Sequence, residues 1–195
     1  MMDSWPDGRV IGMKRFLCLF LALLPAALVA AERPLVVDKA RSQIDIVVKA
    51  TVDSFTGSLN DYDARLIVDD ETGRVKATEV RFDFINVKTG KEKRDAKMHD
   101  WQDTPHHPQG AFVLQRLETM DDGNRMAFGH LELHGLRHEI TFPVVITRDQ
   151  RLYAIDGEAV IDTRDYGLPV IRMMGLLKVD PMVKVRFHLQ AELAR

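Results

Sequence analysis

Ile140, Phe142, Val144 and Ile146 follow one another at every second position in HEITFPVVIT, residues 138–147. A two-residue period puts all four side chains on one face of an extended chain, so this segment reads as a strand with one buried side. The pattern recurs. Ile44, Ile46 and Val48 alternate in QIDIVVK, and Leu59, Tyr62, Leu66 and Val68 mark a run over residues 55–68 that Gly57 and the pair Asn60-Asp61 bend. Val80, Phe82 and Phe84 alternate within residues 75–87, and residues 111–117 and 125–133 flank the hairpin signal Asp121-Asp122-Gly123-Asn124. Residues 152–161 and 183–193 alternate again. About eight strands at hairpin spacing, several of them about ten residues or roughly 33 Å long, predict an all-β protein. Long strands with one apolar face favour closure, because a closed barrel has no exposed edge. Such a chain reads as an antiparallel sandwich or, favoured by the strand lengths, a single up-and-down barrel of about eight strands, with a short helix and loop excursion near residues 91–109.

The first thirty-one residues stand apart from this pattern. Lys14 and Arg15 precede an apolar stretch from Phe16 to Val29, and Val29-Ala30-Ala31 supplies small residues for cleavage after Ala31. That is a secretory signal peptide, too short in its apolar part for a membrane span. The preceding MMDSWPDGRVIG suits no signal, which points to Met13 as the initiator. The only cysteine, Cys18, falls inside the signal, so the expected mature domain of residues 32–195 has no disulfide and must rely on a hydrophobic core. Without Arg9, Lys14, Arg15, Asp3 and Asp7 the balance is 24 bases to 27 acids, and no basic footprint for nucleic acid is present. The periplasm is the expected location.

Residues 94–112, RDAKMHDWQDTPHHPQGAF, look like a chemical centre, with His99, His106, His107, Asp95, Asp100 and Asp103 close together. Zinc takes three or four converging N or S ligands, but no thiol is present, and adjacent His106 and His107 on an extended backbone face opposite sides. His134 and His138 in HGLRH have helical metal-pair spacing, but Gly135 makes the segment a tight turn between strands. The mature serines, Ser42, Ser54 and Ser58, lack the Gly-x-Ser-x-Gly setting of a hydrolase nucleophile, and no phosphate-cradling glycine loop occurs. The histidines and aspartates of residues 94–109 read as solvated, and neither a catalytic residue, a cofactor nor a metal site is expected.

The apolar inventory is more informative. Phe82, Phe84, Phe112, Phe128, Phe142 and Phe187 are spread over most strands, with Met98, Met126, Met173, Met174 and Met182 as adaptable fillers. Each suits an ordinary core equally well, but a barrel of this size must fill its interior with side chains or with ligand. Met98 and Trp101, three residues apart, share one helical face that turns inward as a cap on the barrel.

The order of motifs resembles the YceI-like family of periplasmic polyisoprenoid-binding proteins. The resemblance rests on DKARSQIDIVVKA (residues 38–50), Phe55-Thr56-Gly57, KRDAKM (93–98), HPQGAF (107–112) and GHLELHG (129–135). It continues in IDTRDYGL (161–168) and VDPMV (179–183), so it covers essentially the whole mature chain. His107 stands where the family usually has an aromatic, and Lys97 where it has a histidine. The resemblance implies a lipocalin-like barrel that holds a long apolar chain such as a polyisoprenoid, a quinone tail or a fatty-acyl group, without catalysis. Apolar pocket candidates are Phe82, Phe84, Met98, Trp101, Phe112, Leu131, Leu133 and Phe142, with Arg94, Lys97 and Arg172 for a head group. A long-chain lipid is the expected partner, with neither nucleic acid nor stable membrane insertion, and a homodimer is left open. Two alternatives stand beside this reading: a metal-dependent enzyme or factor using the histidine-rich loop 99–107, and a ligand-free stress or interaction protein with a filled barrel.

Overall fold

A computed structural model describes residues 32–51, 53–173 and 177–194, with the side chains of Met173 and Leu177 left aside. The signal-peptide and initiator expectations, and Met174, lie outside the described residues. In chain order the strands are β1 (Glu32–Val37), β2 (Gln43–Val48), β3 (Phe55–Leu59), β4 (Asp63–Asp69), β5 (Val75–Asp83) and β6 (Val87–Lys88), followed by the helix α1 (Glu92–Gln102). The second half gives β7 (Gln109–Thr119), β8 (Arg125–Leu133), β9 (Leu136–Asp149), β10 (Leu152–Asp162), the short β11 (Arg172–Met173) and β12 (Leu177–Lys178), and finally β13 (Met182–Leu193).

Eight of these strands close an antiparallel ring in the order β1-β4-β5-β7-β8-β9-β10-β13, and β13 pairs back onto β1 through Leu35↔Leu193 and Val37↔Ala191. The lipocalin-like barrel is thus as expected. Two-residue connections explain its tight meander: His134 (φ 50°) and Gly135 (φ 72°) join β8 to β9 in the left-handed region that a primed hairpin turn demands. Strand β13 changes partner halfway along its length. Its end near Leu193 lies beside β1, while Lys184 to His188 pair with β2, which begins a branch β2-β3-β6 that extends the wall at one end.

Two elements differ from the sequence expectation. Residues 75–87 are not one strand, because Phe84–Asn86 form a 3-10 turn in which the Phe84 N–H donates to the Pro108 carbonyl at 2.7 Å and leaves the ladder. The barrel-closing β1 carried no clear alternation, since Pro34 interrupts it and cannot donate to a ladder.

The two ends of the barrel are built differently. At the end where β4 turns into β5, Leu66 and Val68 are fully buried, and Tyr153, Ala191, Leu35 and Leu193 pack with them. The Asp69 carboxylate accepts from the Thr72 N–H at 2.9 Å to shape that turn. Arg33 reaches Asp70 at 3.2 Å and also donates to the Ala194 carbonyl, tying the two termini of the domain together. This end is sealed. The opposite end carries α1, the antiparallel pair β11 and β12, and the segments leading into them.

Candidate functional site

Inward-facing side chains of the strands leave a cavity of about 720 Å³ running down the barrel axis. Its wall is almost wholly apolar, from Leu133 and Ile161 near the open end to Val75, Leu117 and Ile146 deep inside. Phe142 sits at mid-height with Phe112 on one side (ring centroids 5.4 Å apart) and Phe187 on the other (5.8 Å, edge-on). Such offset and edge-to-face contacts are the favourable aromatic geometries, so the three rings brace one another as one flank of the lumen. The barrel is therefore not filled by its own side chains, contrary to the filled-barrel alternative.

The mouth is assembled from three segments. The bridge Ala50↔Val179, with Thr51 N–H donating to the Lys178 carbonyl at 3.0 Å, ties the end of β2 to the β11–β12 region. Helix α1 is pinned on the other side by Trp101, whose Nε1–H donates to the Pro169 carbonyl at 2.8 Å. At its C-terminus Asp103 adopts the left-handed conformation (φ 54°), and the buried Gln102 side chain donates to the His107 carbonyl at 3.0 Å. Polar groups of the lining gather here: Asp53, Arg94, Lys97, Thr163, Arg172 and Asp180.

Arg94 is held by neutral acceptors. Its Nε–H donates to Thr89 Oγ1 at 2.9 Å, one terminal N–H donates to the Thr89 carbonyl at 3.0 Å, and its guanidinium lies 4.2 Å from the Phe55 ring centroid. Burial works against the charged form of Asp95, yet hydrogen bonds from the Thr89 N–H and hydroxyl hold its carboxyl below the usual range. Among the described residues, Arg94, Lys97 and Arg172 have no carboxylate partner within ion-pair distance. On the outer wall, by contrast, Lys184 and Arg186 both bind Glu158, at 2.6 and 2.7 Å. The mouth thus gathers three cations, Arg94, Lys97 and Arg172, and two carboxylates, Asp53 and Asp180, above an apolar shaft.

All eight apolar candidates, Phe82, Phe84, Met98, Trp101, Phe112, Leu131, Leu133 and Phe142, line the cavity, and so do Arg94, Lys97 and Arg172. Met98 and Trp101 face inward from α1. Sequence reasoning left out of the site Ile44, Ile46, Val48 and Phe187, although their alternation was visible, and it left out Leu168 to Ile171, which no periodicity marks. Three expectations need correction. Phe128 lies on the outer face, covered by the Arg116 guanidinium 3.8 Å from its ring centroid, because its position in β8 has the opposite parity to Leu131 and Leu133. Of the methionines, Met98 lines the cavity, whereas Met182 is exposed and Met126 is absent from the wall.

The third correction concerns His99, which is not solvated. Its ring meets Phe84 edge-on at 6.0 Å, its Nε2 is buried without a partner among the described residues, and burial, aided by Lys88, pushes its pKa down. His106 is exposed and paired with Asp103 at 2.8 Å, while His107 packs on His134 with ring centroids 4.2 Å apart. Among the described residues no three His, Asp or Glu side chains are grouped to share a metal ion. The Tyr166 hydroxyl, buried beneath His138, has its pKa pushed up to about 12 by burial.

Comparison with known proteins agrees with this architecture. The sequence matches the YceI-like domain over residues 35–191. The structure of BcnA from Burkholderia cenocepacia superposes with a TM-score of 0.70 at 20% identity, covering 80% of this chain and 99% of that one. A polyisoprenoid binding domain from Saccharophagus degradans, implicated in plant cell wall breakdown, gives 0.59 at 17% identity over 85% of this chain and 99% of its own. The Campylobacter jejuni YceI protein gives 0.59 at 15% identity over 74% and 88%. No curated protein matches the sequence.

Proposed function

The chain belongs to the YceI-like family, and we propose that it is a non-catalytic periplasmic carrier whose barrel holds one long apolar chain, of polyisoprenoid, quinone-tail or fatty-acyl type. The cavity of about 720 Å³ carries this reading, because an apolar shaft sealed at one end suits a slender lipid and little else. At about 30 Å³ per carbon, the share a water molecule takes in its liquid, the shaft has room for roughly two dozen chain carbons. Half that number, at about 0.8 kcal/mol per buried CH₂, gives on the order of 10 kcal/mol of gross burial. Association itself costs an estimated 4–15 kcal/mol or more. Useful affinity therefore requires most of the shaft to be occupied.

Arg94, Lys97 and Arg172 stand where the polar end of such a lipid would emerge, and, outnumbering Asp53 and Asp180 there without pairing to them, they favour an anionic head group. The signal sequence supports export, and the cysteine-free domain is compatible with an oxidising compartment.

Native mass spectrometry of the purified full-length protein, followed by titration with prenyl alcohols of increasing length, tests the reading. Affinity should rise with each isoprene unit and level off near two dozen carbons, and polyprenyl phosphates should bind more tightly than the alcohols. Replacing Arg94, Lys97 and Arg172 together by Gln should abolish that phosphate preference. A protein that isolates empty and ignores every prenyl lipid offered is not a carrier of this class.

A further inference from the structure

Five glycines of the described chain, Gly73, Gly90, Gly123, Gly135 and Gly167, have φ between 66° and 82° and occupy turns that need that conformation. Gly110, Gly129 and Gly157 do not. They lie inside β7, β8 and β10 with ordinary backbone angles, in strand interiors where glycine weakens the ladder. What they share is a phenyl ring. A Cβ built on Gly110 would fall well inside 3.0 Å of Phe82, one on Gly129 inside 3.0 Å of Phe112, and one on Gly157 inside 3.0 Å of Phe187. Phe82 is the direct cross-strand partner of Gly110, and Phe187 that of Gly157; Phe112 reaches Gly129 diagonally, from beside Leu131.

Resting on the carrier reading, we infer that Gly110, Gly129 and Gly157 are selectivity determinants: they recess three lumen phenylalanines into the barrel wall, and so give the shaft the bore of a methyl-branched chain rather than a straight one. Phe82, Phe112 and Phe187 all border the cavity. A ring seated over a bare Cα lies along the wall and takes little of the shaft. With a methyl group on the seat, the wall's own backbone blocks retreat outward, and the ring must swing into the lumen. A straight acyl chain passes a narrowed point by local rotation. An isoprenoid carries a methyl branch on every fourth carbon of its main chain and cannot keep all of them clear of it. Interiors are close-packed, so a displacement of this size is felt by whatever fills the shaft.

The seats differ in how they tolerate change, which makes the idea testable. At Gly129 a Cβ would also meet the Val113 carbonyl at 2.7 Å, and at Gly157 the Pro143 carbonyl at 3.1 Å. At Gly110 the three nearest atoms all belong to the Phe82 ring, so Gly110→Ala displaces a side chain and leaves the backbone in place.

The experiment measures binding of a prenyl alcohol and a straight-chain alcohol of equal carbon number to the full-length protein, Gly110→Ala, and the double variant Gly110→Ala/Phe82→Ala, with circular dichroism to verify folding. One misplaced group in an apolar pocket discriminates by about 10-fold or more. Gly110→Ala should therefore lose about 10-fold for the prenyl chain and much less for the straight one, and the double variant should recover the prenyl chain. An unchanged ratio in folded Gly110→Ala, or no recovery in the double variant, overturns the inference while leaving the carrier reading intact. A wild-type protein that binds neither chain overturns both. If Gly110→Ala does not fold, Phe82→Ala alone decides: it should widen the shaft and raise the prenyl preference, and an unchanged ratio again overturns the inference.

Discussion

The sealed end and the mouth of the barrel are made from the same chain by opposite means. At the sealed end Leu66, Val68 and Tyr153 are buried almost completely, and Arg33, Arg148 and Arg151 reach carboxylates and terminal carbonyls across strands. At the mouth, α1 has eleven residues, Lys91 offers no side-chain cap to its N-terminus, and Arg94, Asp95, Trp101 and Gln102 carry its attachments to neighbouring loops. A helix of that length is marginal by itself, so its order depends on those attachments and on its inward face. Buried area gives one end the full stability of the domain. The other, held by fewer buried contacts, is where local opening is expected, as the proposed loading and release of a chain would require.

The largest effect expected from this contrast is at the sealed end. Leu66→Ala should cost about 2–5 kcal/mol in urea unfolding, because its side chain is wholly withdrawn from solvent. Met98→Ala, which truncates a side chain only half-buried, should cost clearly less, and equal losses would erase the distinction between the ends. A smaller effect is expected from Trp101→Phe, which keeps the apolar wall but deletes the bond to the Pro169 carbonyl. About 0.5–1.5 kcal/mol should be lost locally. It should appear as faster hydrogen exchange in α1 and faster lipid release, with Leu66 and its neighbours unaffected.

The smallest is a response to acid. His99 is pushed below its ordinary 6.5 chiefly by burial. The opened mouth therefore takes up a proton more readily than the closed one. That stabilisation of the closed form is complete above pH 6.5 and is lost as pH falls through the depressed value. Asp95, held below 3.8, acts in the same direction at lower pH. Exchange in α1, corrected for intrinsic rates, should accelerate between pH 7.5 and 5 relative to the sealed end. His99→Phe should flatten that response, and an α1 protected better at pH 5 would contradict it.

Much of this was legible in the residues. Alternation at period two located the long strands, and the parity of Leu131 and Leu133 told the inner face of β8 from the outer. The same rule, applied strictly, puts Phe128 outside, where composition alone had grouped it with the other phenylalanines. Met98 and Trp101 were legible as an inward pair from helical spacing. The segment Leu168 to Ile171 was not, because an irregular stretch has no period and its place in the wall depends on bonds to Trp101 of α1 and to Val179. His99 looked solvated in a run of charges, yet the turn at Phe84 brings an aromatic ring against it.

By itself the sequence determined an all-β domain of long, one-faced strands, since a one-sided apolar face repeated along the chain can be buried only in a sandwich or a closed barrel. It also determined that no disulfide can form within the chain, because Cys18 is its single cysteine. Only the tertiary structure decided that the barrel is hollow. Whether inward side chains fill a lumen or line it depends on where each ring lies relative to the next strand, and cross-strand register is a non-local property. Register set Phe82 over Gly110 and Phe187 over Gly157, and the space those rings leave is the cavity.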